Sequence, residues 1–242
     1  IGALAISGMA ITLPIMNILS AFSALIGVGG ATLTSICLGR RDEKGAASIL
    51  GHVTILNTVN AFFLACIIYY FLDPILKAFG ASDVLLPYAR DFMSVYLWGT
   101  PIIFVFIALN NIMRVSGYPR KAMISSFVSV GLNVILAPLF IFVFKWGMKG
   151  TALATVFAQV LGLGWVLLHF LDKKNYIHFG KGFHRLSFKT TKNMLSIGIS
   201  PFLMNLCLGL VVFFINFGLM KHGGDLAVGA YGIINRILTL FI

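Results

Sequence analysis

Thr151, Thr155 and Gln159 recur at i, i+4 and i+8 inside the charge-free window 150–171. That spacing puts three hydrogen-bonding side chains on one face of a helix. In the window 122–144, Asn133 and Ala137 are likewise four apart and share a face. Two such faces on adjacent apolar helices imply either a hydrated cavity or a set of inter-helix hydrogen bonds, since polar groups among lipid need protein or water partners. Asn17 and Asn205, in the windows 1–39 and 193–220, carry the same two readings, whereas Asn110 and Asn111 read as packing contacts. Neutral oxygens of this kind can ligate a cation or hold a guest, but they are not nucleophiles. No Ser/His/Asp set, HExxH pattern or clustered His/Cys occurs. No catalytic residue, metal site or cofactor is therefore expected, and the chain does not read as an enzyme.

The elements that must position these residues follow from where charge is missing. Of 242 residues, 59% are hydrophobic and 10% charged, with 18 Lys+Arg against 7 Asp+Glu and a net charge of +11. Soluble domains carry roughly 25% charged residues, so this chain cannot cover a water-facing surface. The charge-free windows 1–39, 45–72, 92–113, 122–144, 150–171 and 193–220 are 39, 28, 22, 23, 22 and 28 residues long, and another opens at 226. About 20 helical residues cross a hydrocarbon core of about 30 Å. Each window is one span, and the first is long enough to require a loop or interfacial stretch. Runs such as Ala61–Phe71 lack the alternation of a membrane β-barrel. The fold class is an all-α integral membrane protein.

Basic residues set the orientation. Segments 40–44, 114–121 and 172–192 hold 3, 3 and 6 Lys/Arg, and the alternate segments 73–91, 145–149 and 221–225 hold 2, 2 and 1. The positive-inside rule places the first set in the cytoplasm. The last of these, with Lys173, Lys174, Lys181, Arg185, Lys189 and Lys192, reads as a solvated tether facing the lipid surface. Cys37, Cys66 and Cys207 read as buried thiols, and His52 and His169 as solvated residues at span ends. Gly27, Gly29, Gly30 and Ala31 permit close helix approach. Pro14, Pro101, Pro138 and Pro201 fall inside spans, where they should kink or locally open the helix and are the hinge candidates.

The segment beginning at Gly2 recurs 222 positions later at Gly224, with 5 of 18 positions identical, Ile11 meeting Ile233 and Ile15 meeting Ile237. Both copies open a span at the same side, as in a parallel duplication of six-helix halves. A span matching 193–220 should then precede Gly2. On this reading the chain holds six spans and part of a seventh out of about twelve.

Four stretches in order resemble the MATE (multidrug and toxic compound extrusion) family. They are Gly27–Gly39 with the following Arg40–Ala47, Arg114–Lys121, Asn133–Phe142 and Gly147–Gln159. The resemblance covers essentially the whole chain. It implies a two-lobed helical bundle and a secondary exporter of amphipathic, often cationic compounds at the cell membrane, driven by Na⁺ or H⁺. It assigns 1–171 to an N-terminal lobe lacking its first helix and 172–192 to a cytoplasmic inter-lobe linker. Residues 193–242 would be the first helix and start of the second helix of the C-terminal lobe. The family's cation site matches Asn133 and Thr155, with Thr151, Gln159, Asn17 and Asn205 as cavity or substrate candidates. One departure matters: where many relatives have Asp before the fifth-helix proline, this chain has Ala137-Pro138. No intramembrane carboxylate is present in these spans. The same fold group offers another function, a lipid-linked oligosaccharide or lipid-precursor flippase, which should line its cavity with basic residues. These spans have none apart from Arg236. The sequence leaves the oligomeric state and the individual substrate open.

Overall fold

The computed structural model describes residues 3–172, 175, 177–179 and 187–241, with side chains among them from Leu4 to Asn235. The elements are α1 (Ala3–Gly39), α2 (Glu43–Tyr70), the short α3 (Leu72–Ala78), α4 (Leu86–Val115), α5 (Pro119–Pro138), α6 (Gly147–Leu171) and α7 (Phe188–Phe241). No strand occurs among the described residues. Six of the helices are long and apolar enough to cross a membrane, matching the charge-free windows. Connections fall where charges and turn residues cluster. The Asp42 side chain accepts from the Gly45 N–H at 2.9 Å, capping α2, and Arg41 takes a positive φ of 60° to reverse the chain. The links after α1, α4 and α6 lie at one end, here the basic end. Those after α2, α3 and α5 lie at the opposite end.

The expected loop in the first window is absent: α1 runs unbroken for 37 residues. At 1.5 Å per residue it is about 55 Å long, more than the roughly 40–45 Å of a whole bilayer. Nothing in 1–39 forces a break, because Pro14 bends a helix without ending it when a neighbour serves the freed carbonyl. That neighbour is Asn216 on α7, only 1% exposed, whose Nδ2 donates to the Ala10 carbonyl at 3.3 Å. Ala10 is the i−4 acceptor that the proline nitrogen cannot use. Pro101 and Pro201 also sit inside continuous helices. Pro138 does open its helix locally, since α5 passes there into a π-helical turn at Leu139–Val143.

α7 breaks at Gly224, whose φ of 67° and ψ of −169° are not helical, and the segment expected to open at 226 starts there. Before the break α7 runs antiparallel to α1 along its whole length. The two backbones touch where a Cβ on Gly29 would lie 3.1 Å from the Gly198 nitrogen, so the small-residue run around Gly29 serves close approach as expected. α4 is the hub, packing against α1, α2, α5 and α6. Towards the opposite end it buries Phe92, Met93 and Leu97 with Ile11, Ile15 and Leu76. Towards the basic end it buries Leu109, Ile112 and Met113 with Leu50, Val53 and Phe170.

Two expectations are corrected. Cys66 and Cys207 are exposed on the bundle surface rather than buried, and Cys37 is intermediate. A thiol is apolar enough to face lipid, so an apolar window does not imply burial. His52 and His169 are not solvated: they are 0% and 7% exposed. His52 Nδ1 lies 2.7 Å from the Ser48 carbonyl, and its Nε2 accepts from the Ser187 N–H at 2.7 Å. His169 packs edge to face on Tyr118 and its Nδ1 lies 3.5 Å from Lys121 Nζ. Inside a bundle, a polar ring at a span end finds protein partners before it finds water. Asn110 behaves as the expected packing contact, with Nδ2 donating to the Ala122 carbonyl at 3.0 Å and to Ser125 Oγ at 2.6 Å. Lys173, Lys174, Lys181 and Arg185 of the basic tether lie outside the described residues, as does the Arg236 side chain.

Candidate substrate cavity

Between α1, α4, α5 and α6 lies a cavity of about 490 Å³. One wall is polar. Asn133, Ala137, Thr151, Thr155 and Gln159 all line it, so the two sequence stripes converge on one space. Asn133 Nδ2 donates to Thr155 Oγ1 at 3.1 Å across the α5–α6 contact. Thr155 Oγ1 in turn donates to the Thr151 carbonyl at 3.1 Å, and Thr151 Oγ1 to the Gly147 carbonyl at 3.4 Å. Each threonine proton is thus used locally, leaving lone pairs towards the cavity. Gln159 Oε1 is buried without a protein hydrogen-bond partner. From Met148 to Gln159 along α6, the lining extends over about 16 Å.

The other wall is apolar and soft. Met9 and Met16 of α1, Phe92 of α4 and Met148 of α6 face the same space. Thioether side chains are flexible and polarisable, and they adapt to differently shaped apolar guests. The sequence reading missed them, because a Met in an all-apolar span carries no signal of which way it points. It also missed Ser129, 4% exposed and lining the cavity. Here a signal existed: Ser129 lies one i−4 step before Asn133.

Among the described residues no acidic or basic side chain lines the cavity. Asp91, next to Phe92, turns outward to Lys149, 3.4 Å from its Nζ, with both side chains at least half exposed. Among the described residues no group of three or more His, Cys, Asp or Glu could hold a metal ion. The oxygens available to a cation are therefore those of Asn133, Thr155 and their neighbours.

Other candidates fall elsewhere. Asn17 is not in the cavity; its Cβ lies against Gly209 of α7. Asn205 Nδ2 donates to the Pro201 carbonyl at 2.8 Å, also away from the cavity. Of the hinge candidates, Pro138 directly follows the cavity residue Ala137, Pro14 lies between Met9 and Met16, and Pro101 and Pro201 do not line the cavity.

The MatE family matches residues 1–139. Over 233 residues the chain is 30% identical to the multidrug export protein MepA of Staphylococcus haemolyticus (strain JCSC1435), covering 96% of this chain and 51% of that protein. The corresponding protein of Staphylococcus aureus (strain NCTC 8325 / PS 47) is 27% identical over the same shares. The chain thus spans about half the length of the curated relatives it matches. Among solved structures it resembles the MATE multidrug transporter DinF-BH in complex with a cationic dye, with a TM-score of 0.91 and 31% identity over 99% of this chain and 54% of that one. An inward-facing multidrug resistance MATE family transporter of the MOP superfamily superposes with a TM-score of 0.94. Its 24% identity, over 99% of this chain and 55% of that one, speaks to the fold alone. Six apolar helices fit a multi-pass plasma-membrane protein. With its four-helix cavity, its order of helices and more than half its length matched, this membrane-spanning chain belongs to the MatE family.

Proposed function

We propose that the protein is a secondary active multidrug exporter in which Asn133, Thr151, Thr155 and Gln159 line a binding cavity for amphipathic, often cationic compounds. The observation that carries this reading is the cavity's two-sided lining. Methionines and Phe92 supply adaptable apolar contact, and a neutral polar stripe supplies hydrogen bonds without fixing one ligand. An aromatic cation also gains from the Phe92 face. The dye bound by the DinF-BH relative is a cation of this kind. The chain does no bond-making chemistry on this reading and needs no cofactor; the energy comes from a Na⁺ or H⁺ gradient.

Residues 1–171 form an N-terminal lobe, 172–192 a cytoplasmic inter-lobe linker, and 193–242 the start of the C-terminal lobe. Alternating access moves these lobes against each other, with Pro14, Pro101, Pro138 and Pro201 as places where bending is cheap. The flippase alternative is not favoured, because a pyrophosphate-bearing lipid calls for cationic side chains in the cavity and the described lining has none. The test is accumulation of a cationic rhodamine dye in efflux-deficient cells expressing the full-length protein. Expression should lower accumulation, and collapsing both the Na⁺ and H⁺ gradients should restore it. Export that persists after both gradients are collapsed would exclude a secondary antiporter.

A further inference from the structure

On the face of α4 turned away from the cavity, α2 and α4 leave a groove of about 250 Å³ towards the opposite end. Ala65, Leu97 and Pro101 are buried and form its floor, while Phe62 and Trp98, 51% and 69% exposed, form its rims. Tyr69 and Trp98 meet edge to face across it, ring centroids 6.1 Å apart. At Tyr69 and Tyr70, which line both spaces, the groove continues into a polar pocket of about 170 Å³. Asp73, Arg90 and Ser94 bound that pocket. Arg90 Nε lies 3.4 Å from Asp73 Oδ1, and the side chains remain 62% and 42% exposed. No residue of the groove or the pocket lines the cavity.

The dimensions and the chemistry agree on one occupant. From Phe62 to Tyr70, α2 rises about 12 Å, close to the roughly 15 Å of hydrocarbon in one leaflet. Tyr69, Tyr70 and Trp98 are the residue types that settle at the headgroup boundary. The polar pocket beyond them therefore sits at headgroup depth. We propose that groove and pocket together hold one zwitterionic phospholipid. An acyl chain fills the groove, the phosphodiester lies at Arg90 with the Ser94 and Tyr70 hydroxyls in reach, and the headgroup ammonium lies at Asp73. Arg donates several N–H groups to a phosphate oxygen pair, and Asp73 supplies the charge complement for the ammonium. The Arg90–Asp73 pair thus opens onto a ligand that carries the same two charges in reverse. This site is independent of the transport reading.

The test uses purified full-length protein in nanodiscs of phosphatidylcholine doped equally with phosphatidylethanolamine and phosphatidylglycerol. Lipid retained after transfer to mild detergent is counted by native mass spectrometry. The wild type should keep about one phospholipid per chain, with phosphatidylethanolamine retained over phosphatidylglycerol. Arg90→Gln should lower retention about tenfold, as for the loss of a charge-assisted hydrogen bond. Asp73→Asn should erase the headgroup preference while lipid is still held. Ala65→Phe, which fills the groove floor, should lower retention with the headgroup pocket intact. Lys149→Gln, an exposed charge removed elsewhere at the same end, should change nothing, and unchanged helicity and melting check that each variant folds. Equal retention by wild type, Arg90→Gln and Ala65→Phe would overturn the proposal and leave ordinary boundary lipid. Preference for phosphatidylglycerol in the wild type would overturn the role given to Asp73.

Discussion

Ser7 of α1 faces Gly229 of α7 so closely that a Cβ at 229 would run into the Ser7 hydroxyl and lie 3.4 Å from the Ser7 Cβ. One turn further, Gly232 faces Ala10 in the same way. Both pairs are 222 positions apart, the offset at which the two segments resemble each other in sequence. Equivalent positions meeting on two parallel helices is what a local two-fold axis between repeats produces. The glycines on the α7 side leave the room that the contact needs.

That proximity yields the first prediction. The Cβ distance is close to the roughly 3.5–4.5 Å that a disulfide wants. Ser7→Cys with Gly229→Cys should cross-link on mild oxidation of the full-length protein. If the contact opens during transport, the cross-linked form should stop dye efflux and reduction should restore it. Undiminished efflux by fully cross-linked protein would show that this contact stays closed throughout the cycle.

A second prediction concerns the carbonyl that Pro14 frees. Asn216→Leu should destabilise the protein by about 0.6–2 kcal/mol, the range for polar contacts inside membrane proteins. With Pro14→Ala, position 14 regains its N–H and can serve Ala10 within the helix. The double variant should therefore lose less than Asn216→Leu alone. Thermal melts of the four proteins in one detergent check this. Strict additivity would break the link between the two residues.

Much of this was legible in the sequence, for one physical reason: lipid punishes charge, so long windows without charge must be spans. The stripes at 133/137 and 151/155/159 were legible because polar residues at steps of four stand out on an apolar helix. What stayed hidden was the facing of everything else. Core and lipid are equally apolar. Nothing distinguished Asn17, packed on Gly209, from a cavity residue, or Met9 from a lipid-facing one. The same blindness misplaced Cys66 and Cys207. The continuity of α1 was hidden too, since absence of charge says where a helix can lie and not where it must stop.

The Ala137 position yields a third prediction. A carboxylate at mid-membrane costs roughly 2.5–3.5 kcal/mol on insertion scales, and this cavity avoids it while forgoing a charged ligand near Asn133 and Thr155. Ala137→Asp should strengthen the dependence of efflux on external Na⁺ or pH. Ala137→Leu, with no charge and more volume, should only obstruct. Unchanged ion dependence in correctly inserted Ala137→Asp would separate position 137 from the coupling site.

Topology can be checked directly. The 12:5 division of Lys/Arg between alternate segments predicts that single cysteines placed in 172–192 react with an impermeant maleimide only from the cytoplasm. Cysteines at 80–85 should react only from outside. The reverse pattern would invert every statement about which side the cavity opens to.

The central claim is that the space between the Asn133–Thr155 pair and the methionine wall binds the transported compound. Fluorescence titration of a cationic rhodamine dye into purified full-length protein tests it most directly, comparing wild type with Ala137→Phe and Gln159→Leu. Ala137→Phe fills the cavity, and Gln159→Leu removes the unpartnered buried oxygen of its polar wall. Both should raise the Kd about tenfold, roughly the loss of one good contact of ~1.4 kcal/mol, with melting temperatures near wild type. Wild-type affinity in folded Ala137→Phe would contradict the claim and place the binding site elsewhere in the full-length transporter.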